Sequence, residues 1–144
     1  MTLLCAVLTL SVAGATSEKP AIVVQVADSP VRLDRAIVMS GAEGPPIVFY
    51  AATNLTDDEL EQFTVMAFVF DAKGTLKARQ VAPGRRTLDA RKTKYSTLVL
   101  DGSPIDATDV IVVGVNQSQR VGSEIWWRAD LQAVAEAATQ RKKP

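Results

Sequence analysis

Two short apolar segments constrain the fold of this chain more than any other feature. FTVMAFVF at residues 63–70 and VIVVGV at residues 110–115 are rich in aromatic and β-branched side chains and are short for helices, so both are predicted to be strands. Side chains alternate between the two faces of a strand. In the first segment one face carries Phe63, Val65 and Val69, and the other carries Met66, Phe68 and Phe70. The outer face of a two-layer β fold is normally polar, so we expect another element to cover these strands.

The rest of the chain continues this pattern of short apolar segments separated by turn signals. The turn signals are Asp28-Ser29-Pro30, SGAEGPP at 40–46, DAKG at 71–74 and DGSP at 101–104. The segments do not alternate with helical patterns, which argues against a parallel α/β sheet. The 144-residue sequence therefore predicts an all-β protein, an immunoglobulin-like antiparallel β-sandwich of about seven to eight strands with a short C-terminal helix.

Several local predictions follow from the same pattern. Asp71 and Gly74 are typical of a tight hairpin turn, whose second strand is polar enough to lie at a sheet edge. The segment at 31–39 places Val31, Leu33, Ile37 and Met39 on one face at period two, with Arg35 as the exception. TSEKP at 16–20 is predicted to be a polar spacer, and LTDDELEQ at 55–62 a connection.

The C-terminal segment changes its period from two to about 3.6. Asp130 is a candidate helix N-cap, and Leu131, Val134, Ala135 and Ala138 follow at helical spacing. We expect this helix to dock over the apolar strands. Neighbouring strand residues point to opposite faces, so one of Trp126 and Trp127 should enter the core. The other should lie on the outer face, covered together with the helix.

The first 15 residues are predicted to be a signal peptide, because they are apolar and end in a small-x-small cleavage site at Ala13-Gly14-Ala15. The predicted organisation is a signal peptide at 1–15, a β-sandwich domain at 16–128, and a helix with a basic tail at 129–144. The single cysteine, Cys5, would be removed with the signal peptide. We expect a periplasmic or secreted bacterial protein that has no disulfide and no membrane span after signal removal.

Residues 51–100 resemble a known family. The segment ATNLTDDELEQFTVMAFVFDAKGTLKARQ is similar to the FxLYD-type immunoglobulin-like domains of secreted bacterial proteins, through Asn54, Thr56, Phe70, Asp71 and Gly74. TLDARKTKYSTLVL would be a later strand of that scheme. The resemblance implies a binding, spacer or assembly module without enzymatic activity, and it implies no catalytic residue.

Composition excludes several chemistries. The sequence contains no histidine, which removes histidine general bases and histidine metal ligands. It contains no glycine-rich phosphate-binding motif, so no cofactor is predicted. The formal net charge is +0, which gives no field favouring nucleic acid. We predict no catalytic residue and no metal site.

The leading functional hypothesis is therefore a non-enzymatic module that binds an envelope or extracellular protein, or itself, through an apolar sheet face or an edge strand. The alternative is a polysaccharide- or calcium-binding module that uses an exposed tryptophan and acidic loops. The carboxylates for that alternative are Asp57, Asp58, Glu59 and Glu61 in one connection and Asp101, Asp106 and Asp109 in another. The candidate binding residues are Phe68, Arg85, Arg86, Trp126, Trp127 and Arg128.

Overall fold

The structure is a computed structural model that describes residues 16–82 and 86–141. The predicted signal peptide, Cys5, Arg85 and the end of the basic tail lie outside the described residues. The described elements are β1 (Ser17–Pro20), β2 (Ile22–Val24), β3 (Val31–Ser40), β4 (Ile47–Asn54), β5 (Leu60–Phe70), β6 (Leu76–Val81), β7 (Thr93–Val99), β8 (Val110–Arg120), β9 (Ile125–Trp127) and α1 (Leu131–Gln140).

The strands form two sheets that pack face to face. Sheet 1 has the order β1-β3-β4-β7, and sheet 2 has the order β2-β8-β5-β6, with β9 paired to β8. The chain crosses between the sheets after β1, after β2, after β4, after β6 and after β7. Strand β7 therefore returns beside β4, and β8 returns beside β5, which is the interlocked connectivity of immunoglobulin-like sandwiches. The predicted all-β sandwich with a short C-terminal helix is confirmed.

Strands β5 and β8 bury side chains on both faces. The inward face of β5 carries Phe63, Val65, Ala67 and Val69, which join the core between the sheets. Phe68 and Phe70 point to the outer face, where they form a second buried cluster with Val112 of β8. The two-sided apolar pattern therefore corresponds to two separate layers of packing.

Helix α1 covers this outer face of sheet 2, as the sequence predicted. Leu131 and Ala135 are buried in the second cluster, and Val134 and Ala138 pack against it. Burial of one leucine side chain stabilises the docked helix by about 2 kcal/mol. The approach is close at Gly114, where an added Cβ would lie 2.8 Å from Leu131 Cδ1. Glycine at this position lets the helix lie directly on β8. Among the described residues, no helix is both long and apolar enough to cross a membrane.

A β-bulge in β3 corrects the predicted face assignment. Leu33 pairs with Ala52 and Arg35 with Ala51, so Asp34 is an extra residue in the ladder. Val31 and Leu33 face the core before the bulge, and Ala36 and Val38 face it afterwards. The prediction that Ile37 and Met39 share the face of Val31 was wrong. The inserted residue turns Arg35, Ile37 and Met39 outward.

Four other local predictions can be compared with the structure. The hairpin is confirmed: Gly74 has φ +90°, and the backbone N–H groups of Lys73 and Thr75 donate to Asp71 Oδ1 at 2.8 and 2.9 Å. Strand β6 lies at the sheet edge, as expected. The polar segment at 16–20 contains β1, which pairs with β3, so it is not only a spacer. Strand β5 begins at Leu60, inside the predicted connection.

Candidate functional site

The outer face of sheet 1 is apolar and exposed. The ladder aligns Ile37 with Phe49 and Thr97, and Met39 with Ile47 and Val99. It also aligns Arg35 with Ala51 and Tyr95. We call this surface the open face and define it by Ile37, Met39, Ile47, Phe49, Tyr95 and Val99. Phe49 on the inner strand β4 is 43% exposed, and Tyr95 on the edge strand β7 is 83% exposed, which is a large exposure for two neighbouring aromatic side chains.

A shallow groove of about 420 Å³ crosses the open face. It runs between Phe49 and Tyr95 and is bordered by Arg35, Ile37 and Thr97. Among residues 16–82 and 86–141 the only helix is α1, and it packs on sheet 2. The two sheets therefore differ: the outer face of sheet 2 around Phe68, Phe70 and Val112 is buried under α1, and the apolar outer face of sheet 1 is exposed.

The edge of sheet 1 at β7 is held by residues that precede it. One Arg86 Nη1–H donates to Ser96 Oγ, and Nη2 donates to the Thr97 carbonyl oxygen at 3.2 Å. Lys94 Nζ donates to the Thr87 carbonyl oxygen at 2.8 Å. Arg86 was predicted to bind a ligand, but these contacts use its guanidinium group to attach residues 86–87 to β7. This attachment protects the strand edge from pairing with another chain.

A second concave surface lies at one end of the sandwich, and we call it the end pocket. Its volume is about 470 Å³. The β2–β3 loop contributes Asp28 and Ser29, and the β4–β5 loop contributes Leu55 and Thr56. The remaining wall comes from β8, β9 and their turn, through Ser118, Arg120, Glu124 and Trp126.

Trp126 is the inward tryptophan of β9. Its ring is partly buried against the core, and its Nε1–H donates to Asp28 Oδ2 at 3.4 Å. Ser118, its cross-strand neighbour, is only 1% exposed. The Ser118 hydroxyl has no hydrogen-bond partner among the described residues. The end pocket thus combines an aromatic ring, a buried hydroxyl group and charged side chains.

Trp127 lies on the outer face, as expected for the neighbour of an inward residue. It pairs with Gln117 and is 67% exposed, so the prediction that α1 would cover the outward tryptophan was wrong. Helix α1 packs against the other half of β8, around Val112 and Gly114. Arg128 Nε lies 2.5 Å from Asp130 Oδ1, and Arg128 Nη1 lies 3.9 Å from Asp28 Oδ1. Its charge is therefore already balanced by carboxylates of the same chain.

Phe68 was a candidate binding residue because its strand is apolar on both faces. It is 1% exposed, and its ring stacks near Phe70 with 6.5 Å between centroids beneath α1. The chain's own helix occupies this surface, so Phe68 packs inside the protein, and its role in binding a partner stays a prediction.

The acidic loop around Asp106 and Asp109 is organised by a lysine. Lys77 Nζ donates to Asp109 Oδ2 at 2.5 Å and to Asp106 Oδ2 at 2.9 Å. Both hydrogen bonds raise the pKa of Lys77, and the one to Asp109 has the larger effect. The Asp106 backbone N–H also donates to Asp109 Oδ2 at 2.8 Å. An ammonium group thus occupies the position between the two carboxylates that a bound cation would need.

Two carboxylates of the other acidic loop, Asp57 and Asp58, are also paired with arginines. Arg91 Nε donates to Asp57 Oδ1 at 2.8 Å, and this hydrogen bond lowers the pKa of Asp57. Arg120 Nη1 donates to Asp58 Oδ2 at 3.1 Å. Within the part of the chain that the structure describes, no three acidic, histidine or cysteine side chains are grouped as metal ligands. A calcium site would require several oxygen atoms that converge on one point. In these loops Asp57, Asp58, Asp106 and Asp109 instead form ion pairs with lysine and arginine side chains.

Sequence reasoning predicted that one of Trp126 and Trp127 would point inward, but it did not find the end pocket or the open face. The sequence did contain a signal for the open face. Phe49 and Tyr95 each alternate with side chains that face the core, so both had to lie on an outer face that was expected to be polar. The exposure of Ile37 and Met39 depends on the bulge at Asp34, which period-two counting does not detect.

In comparisons with known proteins, no family model matches this chain, and no curated protein or solved structure is significantly similar to it.

Proposed function

We propose that this chain is an exported, non-enzymatic module that binds another protein through the open face. The observation that carries the proposal is the exposure of Phe49, Tyr95 and Val99 on one sheet whose counterpart is covered by α1. A single protein rarely leaves a contiguous apolar patch of several large side chains in contact with water unless the patch binds something.

The composition of the open face suits a protein interface. Its centre is aromatic, with Tyr95 beside Phe49, and tyrosine is among the residues that dominate binding energy when buried. Arg35 lies at the border of the groove, where it can remain hydrated while its aliphatic portion packs. Burial of Phe49 and Tyr95 would contribute several kcal/mol at about 25 cal/mol per Å².

The expected partner is a folded envelope or extracellular protein with an apolar surface. A flat sheet face suits another flat surface better than it suits a small molecule, which needs enclosure. The attachment of Arg86 along β7 disfavours the alternative mode, in which a partner strand extends the sheet. Export is expected from the predicted signal peptide at residues 1–15, and the FxLYD-type resemblance implies a binding or assembly role.

The test is site-specific photocrosslinking in the native host. A benzophenone amino acid at position 95 is expected to yield a discrete crosslinked band to one partner protein, and a band only to a second copy of the chain would contradict the proposed partner. The matched control is position 121, because Val121 is also an exposed apolar residue and lies in the turn that follows β8.

A variant with Tyr95→Ser and Phe49→Ser should lose this association in solution and keep its far-UV circular dichroism spectrum, because both side chains project from the fold. Equal crosslinking at positions 95 and 121, or none at position 95, would contradict the proposal.

A further inference from the structure

We propose that the end pocket binds a neutral sugar unit. The pocket lies at one end of the sandwich, away from the open face, and its volume of about 470 Å³ is within the range of small-molecule sites. The inference is independent of the proposed protein-binding function, because it uses different residues.

The aromatic wall of the pocket is Trp126. One side of this residue packs against the sandwich core, so the ring is held in place before any ligand arrives. An immobilised indole provides an apolar plane, on which the C–H face of a pyranose ring can pack. Its N–H group donates to Asp28 Oδ2, which orients that carboxylate at the pocket wall.

The second observation is the hydroxyl group of Ser118. A buried hydroxyl without a partner is unfavourable, so such a group in a native protein calls for a partner such as an ordered water or a ligand hydroxyl. Ser118 lines the pocket beside Trp126, its neighbour on the adjacent strand, and is almost fully buried. A sugar hydroxyl placed over Trp126 would supply the missing hydrogen bond, because it can both donate and accept.

The charged groups favour a neutral polyol over an ion. Asp28 and Glu124 can accept hydrogen bonds, and Arg120 can donate them. An anionic ligand would face both carboxylates, and a cationic ligand would face Arg120, whose position is fixed by its hydrogen bond to Asp58. A sugar presents donors and acceptors together, so it can satisfy all three side chains without adding charge.

The test uses the fact that the chain has two tryptophans. Trp127→Phe leaves Trp126 as the single tryptophan, and Trp126→Phe leaves Trp127. We would titrate both variants with the methyl glycosides of glucose, galactose, mannose and N-acetylglucosamine, and with choline chloride as a cationic probe. We expect at least one glycoside to produce a saturable change in the fluorescence of Trp127→Phe, with a dissociation constant on the order of millimolar. The same glycoside should leave Trp126→Phe unchanged.

Two further variants separate binding from folding. Ser118→Ala and Asp28→Asn, made in the Trp127→Phe background, should each weaken the glycoside by roughly fivefold, the effect of one lost hydrogen bond. Tyr95→Ser on the open face should leave the affinity unchanged. Circular dichroism would verify that each variant is folded.

Three outcomes would overturn the inference. The first is no saturable response of Trp127→Phe to any glycoside up to roughly 100 mM, well above the millimolar range expected. The second is a response to choline alone, which would make the pocket a cation site. The third is a glycoside response seen only in Trp126→Phe, which would place sugar binding on the exposed Trp127.

Discussion

Replacing Gly114 with alanine should weaken the docking of α1, because the new methyl group would lie 2.8 Å from Leu131 Cδ1. Two carbon atoms pack favourably at about 3.5–4.0 Å, so Leu131 would have to retreat by roughly 0.7 Å or more. Leu131 is 2% exposed and is enclosed by Phe68 and Val112, so it has little room to change rotamer. We expect a loss of about 1–3 kcal/mol in the free energy of unfolding, the usual cost of overpacking.

A double-mutant cycle gives this prediction its test. Leu131→Ala alone should cost about 2–5 kcal/mol, because it truncates a buried leucine. In that background Gly114→Ala should be nearly neutral, or stabilising by up to about 1 kcal/mol, since alanine reduces the freedom of the unfolded chain. Urea unfolding followed by circular dichroism would measure all four proteins. If Gly114→Ala costs the same with and without Leu131, the two residues do not touch, and the assignment of α1 as the cover of sheet 2 is refuted.

Two further predictions concern the connections. Asn54→Ala should lower the free energy of unfolding, measured in urea, by about 3 kcal/mol. The reason is that the buried Asn54 amide donates to the carbonyl oxygens of Asp58, Leu88 and Asp89. A loss below about 0.5 kcal/mol would contradict this bonding pattern. In the hairpin, the hydrogen bond from the backbone N–H of Thr75 is the main cause that lowers the pKa of Asp71. The ionised Asp71 carboxylate therefore stabilises the folded state at a pH above the unfolded pKa of about 4. This stabilisation is lost as the pH falls through the lower pKa of the folded state. Asp71→Asn keeps the acceptor oxygen but cannot titrate, so its stability should vary less than that of the wild type between about pH 4 and pH 2, and identical pH profiles would show that the Asp71 carboxylate contributes nothing.

The sequence predicted the parts of the fold that depend on local pattern. Two apolar faces on one short strand require two layers of cover, and the structure provides the core on one side and α1 on the other. The turn at Asp71 and Gly74 was also predictable, because the aspartate side chain and the positive φ act within five residues.

The parts that could not be predicted depend on pairing between distant residues. The polar segment of β1 forms a strand only because β3 offers it a partner, with Glu18 opposite Met39. The bulge at Asp34 is equally non-local, since it is defined by the pairing of its neighbours with Ala51 and Ala52. The side chain of Asp34 accepts hydrogen bonds from Thr53 across the ladder and from Arg32. Neither contact is visible in a period-two pattern.

The bulge also connects the fold to the proposed binding surface. If β3 kept its regular alternation through Asp34, without the bulge, Ile37 and Met39 would face the core, and Arg35 would be directed inward with them. With it, Arg35 reaches the solvent, and two large apolar side chains join Phe49 and Val99 on the outer face. The same one-residue insertion thus avoids an unpaired buried arginine and exposes an apolar surface. Exposure of this apolar surface to water is unfavourable, and α1 packs on the other sheet. A complex in which a partner protein buries the open face would therefore be stabilised by the side chains that this register leaves exposed.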